Sequence, residues 1–320
     1  MILTGASGFV GSALLDLLRS RSCEVRPIVR QDRELAGAVA VGEIGLSTEW
    51  GAALQGADSV VHLAARVHVM NERSSDPLAE FRKVNVEGTL HLAREAVANG
   101  VRRFVYVSSI KVNGEATQPG IPFTAADVPA PSDAYGISKY EAEQGLLALA
   151  RETGLEVVII RPPLVYGPGV KANFLSMMRS LHKGVPLPLG AIHNSRSLVA
   201  LDNLVDLIDT CLDHPAAANQ VFLAGDEEAL STTELLLRLG NALNKPARLL
   251  PVPSWLLKVG AAMLGKRDAA MRLCGSLQID TAMTRTILGW QPPVSVDEGL
   301  RATANYFLEH SRRENAQSMP

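Results

Sequence analysis

The first eleven residues, MILTGASGFVG, constrain the fold more than any other stretch of the chain. Glycines at positions 5, 8 and 11 follow a short apolar run. They precede Phe9, Val10, Ala13, Leu14, Leu17 and Leu18, which recur at helical spacing. A strand turning sharply into a helix gathers unpaired N–H groups and the positive end of the helix dipole at one point, where a pyrophosphate binds. Gly5 would make the bend, Gly8 would let the backbone approach phosphate, and Gly11 would let the helix pack closely on its strand. An ordinary strand–turn–helix corner carries the same glycines, so the rest of the chain must supply the context.

That context is an alternation. Strand-like runs at 1–3, 24–29, 38–41, 59–63, 103–107 and 157–160 are separated by helix-like segments near 10–20, 76–99 and 134–152. The pattern is that of an α/β chain, a doubly wound parallel sheet of the Rossmann dinucleotide-binding kind. Residues 1–165, with a return segment near 196–215, are expected to form it. The first strand is three residues long and barely crosses a sheet, so a few residues are expected upstream of this numbering. After Arg161 the texture changes. RPPLVYGPGVKANF and KGVPLPLGAIHNSRS are rich in proline and glycine and read as loops around a ligand more than as ladder strands. The segments 166–195 and 216–320 are expected to build a smaller, mainly helical C-terminal substrate lobe, with a frayed polar tail at HSRRENAQSMP.

With 320 residues, 47% of them hydrophobic, the chain is no disordered protein, and a formal net charge of −2 gives no reason to expect nucleic acid. The three cysteines, Cys23, Cys211 and Cys274, have no metal-like spacing and read as small core residues in a reducing compartment. No basic-then-apolar leader opens the chain, and a cytoplasmic location is expected. The apolar stretch 255–264 is interrupted by Lys258 and too short to span a bilayer. It reads as a buried or substrate-covering helix, with a surface-seeking helix as the alternative. His62 reads as a packed core histidine. No His/Asp/Glu grouping has metal-ligand spacing, so no metal is expected.

The chemistry concentrates in two segments. VYVSSI ends a strand, and DAYGISKYEAE opens a helix in which Tyr135 and Lys139 are four apart and so share a face. An ammonium beside a phenol favours the phenolate, drawing its pKa from about 10 toward neutrality and letting the tyrosine exchange protons at working pH. Ser109, 26 positions before Tyr135, can hydrogen-bond the same substrate oxygen. A surface pair on an amphipathic helix would show the same spacing; the preceding glycine turn on the same sheet favours the acid/base reading.

With TGASGFVG, VVHLAA, NVEGTLHLAREA, RFVYVSS, YGISK, RPPLVYGPG, SLVALDNLVD and LGWQPPVSVDEGL in this order, the chain resembles the extended short-chain dehydrogenases/reductases. The likeness is to the epimerase/dehydratase branch acting on nucleotide sugars, and it runs over nearly the whole length. The resemblance implies that Tyr135 is the catalytic acid/base, that Lys139 assists it and holds the nicotinamide ribose, and that Ser109 binds the reacting oxygen. It implies cofactor contacts from Gly5, Ser7, Gly8, Phe9, Val10 and Gly11, from Leu63, Ala64 and Ala65, and from Pro162. Glu43 and Ile44 would meet the adenine, and Asn85 would lie near the active site. Ser109, Lys111, Asn173 and Arg196 would face the substrate, the last two at its diphosphate. Members often pair through a four-helix contact, so a homodimer is expected.

Two discriminations follow. The position after the second strand where an acidic residue would meet the ribose hydroxyl of NAD holds Val29–Arg30. A guanidinium there suits the 2′-phosphate of NADP(H), which is favoured; Arg30 could instead stack on adenine, which leaves NAD(H) open. Sugar 4,6-dehydratases of this resemblance carry an Asp–Glu pair where this chain has Ile110 and Lys111, so dehydration is disfavoured. The stretch 251–280 resembles bacterial reductases and epimerases of surface-polysaccharide (lipopolysaccharide O-antigen) biosynthesis that act on UDP-N-acetyl-hexosamine derivatives. The expected reaction is reduction of the C4 ketone of a UDP-linked 2-acetamido-dideoxy sugar, with a UDP-glucose or UDP-N-acetylglucosamine 4-epimerase as the alternative. A dinucleotide-sensing protein without turnover is the reading from another class.

Overall fold

The structure is a computed structural model that describes residues 1–31, 35–67, 76–265 and 267–317. In chain order its first half runs β1 (Ile2–Thr4), α1 (Phe9–Ser20), β2 (Arg26–Val29), β3 (Val39–Ala40), α2 (Gly51–Leu54), β4 (Ser59–His62), α3 (Pro77–Arg82), α4 (Thr89–Ala98), β5 (Arg103–Val107), α5 (Ala134–Thr153) and β6 (Glu156–Arg161). The second half runs β7 (Leu164–Tyr166), α6 (Ala172–His182), β8 (Leu198–Ala200), α7 (Leu201–Asp213), β9 (Gln220–Leu223), α8 (Thr232–Ala242), α9 (Ser254–Met263), α10 (Arg267–Cys274), α11 (Ala282–Leu288) and α12 (Val296–Gln317).

Seven strands pair in parallel in the order β3-β2-β1-β4-β5-β6-β9. The central strands are apolar at consecutive positions because both faces are covered. Val61, Val105 and Val158 pack under Leu14 and Leu18 of α1 and Leu204 and Ile208 of α7. Their neighbours Val60, Phe104 and Val157 pack under Leu92 and Ala96 of α4 and Ala142 and Leu146 of α5. A separate core joins Phe174 and Met178 of α6, Leu236 and Leu239 of α8, and Leu300 and Ala304 of α12. The doubly wound sheet and helical C-terminal part expected from the alternation are both present.

Five expectations are corrected. The segment 164–166, read as loop, is a strand: β7 pairs with β8 in a separate two-stranded sheet. Buried Asp226 fastens that sheet, accepting hydrogen bonds from Tyr166 Oη (2.8 Å), Ala200 N (2.9 Å) and Asn203 Nδ2 (2.7 Å). β9 lies inside 216–320, the stretch expected in the lobe, yet pairs with β6 as the sheet's last strand; its four residues are too few to register as a periodic run. Of the cysteines only Cys211 is buried, while Cys23 is exposed. The stretch 255–264 is no buried helix either, since α9 has no buried residue and its Trp255 is 64% exposed. Helix α12 continues through Gln317, so the tail read as frayed is helical to that residue, and 318–320 lie outside the described residues.

Candidate active site

Parallel pairing sends the carboxyl ends of β2, β1, β4, β5 and β6 to one edge. Arg30, the glycine corner, Leu63–Ala65, Ser109 and Pro162 each follow one of these ends. The order reverses at β1 and β4, which is where ligands bind in open α/β sheets.

Gly5 has φ +69, and a Cβ on it would stand 2.9 Å from Ala64 N. At Gly11 a Cβ would stand 2.1 Å from Gly5 O, so helix and turn close only without side chains there. Gly8 N donates to Gly5 O (2.9 Å), and Gly8 caps α1 in an extended conformation. Ser7 and Gly8 are exposed, whereas the side chains of Phe9 and Val10 pack against the sheet core. The N–H groups of the first helical turn lack helical partners. Thr4 Oγ1 accepts from both Leu63 N and Ala64 N (3.2 Å each), pinning the end of β4 to the corner. A helix N-terminus reached through glycines fits a dinucleotide's pyrophosphate.

Ser109 leaves β5 in an extended conformation, and its Oγ accepts from Lys111 N at 3.3 Å. Ile110 N donates to the carbonyl of buried Pro162 (3.0 Å), so the loops after β5 and β6 are tied together. Helix α5 starts at Asp133, whose Oδ1 accepts from Gly136 N at 2.7 Å. This cap sets the first turn of α5, which brings Tyr135 near Ser109. The Phe81 ring meets the Tyr135 ring edge-on at 6.1 Å. One turn on, buried Lys139 donates from Nζ to the Val107 carbonyl (2.9 Å) and lies 4.5 Å from the Tyr106 ring centroid and 6.0 Å from that of Tyr135.

Here the electrostatic expectation is corrected. Burial first and Asp133 second push the Tyr135 phenol up to about 12, with the nearby Ser109 hydroxyl acting against them. The lysine is itself lowered to about 7 by burial, which the negative charge of Glu143 partly offsets. An amine held against a carbonyl and half discharged near neutrality does little for a phenolate.

Asn85 lies in a single π-helical turn, residues 83–88, between α3 and α4. Such turns often mark functional sites. Its Oδ1 accepts from Arg66 N (2.8 Å), and its Nδ2 donates to Arg66 O (3.0 Å) and Ser138 Oγ (3.0 Å), so it clamps the loop after β4 to α5. Ile44 packs over Gly88, where a Cβ would come within 2.7 Å of it. Glu43 is exposed and accepts through its backbone carbonyl from Thr48 Oγ1. Arg30 is exposed at the end of β2. Lys111 is ion-paired with Asp133 and lies 3.5 Å from Glu115, so its charge is already engaged by the cap of α5. Asn173 is exposed in the first turn of α6. Arg196 Nη1 donates to the carbonyls of Arg272 (2.9 Å) and Gly275 (3.0 Å), which holds its guanidinium against the end of α10. His62 is wholly buried, hydrogen-bonded to Thr4 Oγ1 (2.7 Å) and Thr89 Oγ1 (2.9 Å), as a core histidine should be.

Sequence reasoning passed over several supporting groups. Asp133 carried a signal, an acidic residue directly before the helix. Glu143, four residues past Lys139 on the same helix face, forms a buried ion pair with Arg161, which also donates from Nη1 to Asn113 Oδ1 (2.9 Å). Spacing could have flagged Glu143; its partner on β6 is a tertiary fact.

The comparisons with known proteins agree with this geometry. The family model described as "NAD dependent epimerase/dehydratase family" matches residues 1–225. Over 319 residues the chain is 50% identical to the UDP-glucose 4-epimerase of Vibrio cholerae, covering 98% of this chain and 97% of that protein. It is 26% identical to the N-acetyl-alpha-D-glucosaminyl-diphospho-ditrans,octacis-undecaprenol 4-epimerase of Escherichia coli O157:H7, covering 98% of this chain and 97% of that one. In fold it is similar to the solved structure of UDP-glucuronic acid 4-epimerase from Bacillus cereus in complex with NAD, with TM-score 0.78 at 21% identity, covering 99% of both chains. A glycine corner, a serine–tyrosine pair at the sheet edge and a full-length match at half identity lead to one conclusion: this chain belongs to the NAD-dependent epimerase/dehydratase family, as an extended short-chain dehydrogenase/reductase.

Proposed function

We propose that the protein is a UDP-sugar 4-epimerase using NAD. The carrying observation is that Ser109, after β5, and Tyr135, at the start of α5, are brought close enough for the serine to favour the phenolate, within a chain half identical to the Vibrio cholerae enzyme along its whole length. This replaces 4-keto reduction as the leading reading, because that relative is an epimerase.

The glycine corner, Leu63–Ala65 and Pro162 would hold the dinucleotide, with Glu43 and Ile44 at the adenine. The bound nicotinamide supplies an acceptor for the C4 hydride and a donor for its return. The chain's own part is proton traffic and positioning. Tyr135 Oη takes the C4 hydroxyl proton as the alcohol becomes a ketone and gives it back after the sugar has turned over. Ser109 Oγ hydrogen-bonds the same oxygen and keeps it beside the phenol. Lys139 would hold the ribose. Asn173 and Arg196 would meet the diphosphate. As the proton acceptor, Tyr135 must enter each turnover as the phenolate, the form that burial and Asp133 disfavour and Ser109 favours.

A second reading, 4-keto reduction with NADPH, rests on Arg30, a guanidinium at the end of β2 where a carboxylate would select NAD. Purified protein incubated with UDP-glucose or UDP-N-acetylglucosamine and no reductant decides between them. Appearance of the C4 epimer supports the epimerase. Stoichiometric loss of NADPH absorbance on a UDP-4-keto sugar, with no epimer formed, establishes the reductase instead. Arg30→Asp would then weaken NADP far more than NAD; equal losses would remove the role of the arginine.

A further inference from the structure

Helix α9 turns an apolar face outward. Trp255, Leu256, Val259 and Met263 recur at i, i+1, i+4 and i+8 and share one face of the helix, with exposures of 64%, 47%, 50% and 83%. Leu264, directly after the helix, and Met271 in α10 add exposed apolar surface. Exposed Lys258 flanks the stripe, and exposed Arg267 and Arg272 follow in α10. Buried positions elsewhere use most of the large apolar residues of this chain, so a helix that buries none is an exception that a core requirement does not explain.

Charge decides what covers it. The run 254–274 carries Lys258, Lys266, Arg267 and Arg272 against one acid, Asp268, within a chain whose formal net charge is −2. A tryptophan-bearing apolar stripe edged by cations is the pattern that lies in the headgroup layer of an anionic bilayer, the ring at the interface and the cations toward lipid phosphates. The chain has no helix long and apolar enough to cross a membrane among the described residues, so contact would be with one leaflet. We propose that α9 and α10 form a docking surface for an anionic lipid membrane. The end of α10 is tied to the lobe, because the carbonyls of Arg272 and the following Gly275 hold Arg196.

The tryptophans make the test direct. Trp50 and Trp290 are buried, at 1% and 5% exposed, so a change in emission on binding reports Trp255. Full-length protein is floated with vesicles of phosphatidylcholine alone or mixed with phosphatidylglycerol. The expected result is flotation with the anionic vesicles, a blue-shifted emission, and binding about tenfold weaker on neutral vesicles or in high salt. Trp255→Asp and Met263→Asp should each weaken flotation by about tenfold or more while leaving the thermal melt unchanged. No flotation with anionic vesicles overturns the proposal, as does flotation that is equal on neutral vesicles or indifferent to both substitutions. A wild-type dimer that Trp255→Asp converts to monomer, with no flotation of either, assigns the face to a second copy and also overturns it. None of these readouts involves turnover, so the result is independent of the reaction proposed above.

Discussion

Asn85 Nδ2 donates to Ser138 Oγ at 3.0 Å and so joins the π-helical turn to the helix that carries Tyr135 and Lys139. Ser138 in turn donates from Oγ to the Tyr135 carbonyl at 2.8 Å. The loop after β4, the turn and the candidate acid/base are therefore held by one amide side chain that is 1% exposed.

Asn85→Ala removes three hydrogen bonds and leaves buried partners without a replacement, which should cost about 2 kcal/mol or more. As a positioning residue it should lower kcat by about tenfold or more while KM for the sugar moves little, since orientation is lost more than affinity. Urea midpoints and a kcat-against-KM comparison check both; a fall in stability with unchanged kcat would make the clamp purely structural.

Tyr135→Phe deletes the proton-exchanging hydroxyl and keeps the ring that meets Phe81. Turnover should fall by about 10²- to 10⁴-fold with the fold and dinucleotide affinity intact. Single-turnover kinetics with a titration of NAD measure the two separately. Retained activity would remove the catalytic assignment.

Gly11→Ala places a methyl 2.1 Å from the Gly5 carbonyl oxygen. Backbone cannot yield that far cheaply, and a loss of at least about 3 kcal/mol is expected. Gly8→Ala meets the same oxygen at 3.1 Å and has an ordinary φ of −81, so it should fold and lose dinucleotide affinity instead. Thermal melts and NAD calorimetry on the two variants check the division.

His62 is lowered to about 3 in the folded protein, first by burial and then by the charge of Lys139. The unfolded chain takes up that proton near pH 6.5 and the folded one does not, so the unfolded state binds more protons below that point. The contribution is absent above about pH 6.5 and grows as a penalty toward pH 3, reaching roughly 2 kcal/mol at pH 5. His62→Gln, which keeps an amide near Thr89, should flatten this part of the stability curve in denaturant titrations between pH 5 and pH 7.

The ion pair of Glu143 and Arg161 is 0% and 4% exposed. Glu143→Gln strands a buried guanidinium and should cost about 3–5 kcal/mol, whereas the double change Glu143→Leu with Arg161→Met should recover much of the loss. Chemical denaturation of the wild type, Glu143→Leu, Arg161→Met and the double change gives the coupling energy directly.

Much of this was legible without coordinates. Glycines at 5, 8 and 11 announce the corner because only residues without a Cβ close it, and the alternation of apolar runs announces a parallel sheet because both faces of such strands are buried. Tyr135 and Lys139 sit on one helix face because a helix repeats every 3.6 residues. These are local rules, readable within a few residues of one another.

Tertiary structure decided the rest. Whether the phenol is acidified depended on where the Lys139 amine points, and burial with Asp133 proved stronger than the spacing implied. The roles of β7 and β9 rest on partners elsewhere in the chain, β8 and β6, as strands of three and four residues have no period of their own. The open face of α9 was equally hidden: a helix rich in leucine and methionine looks buried until the space around it is known. Local patterning settles which elements form, because backbone geometry and side-chain periodicity act over one or two turns. Which charges meet, and which apolar faces stay uncovered, is set by packing between segments far apart in the chain.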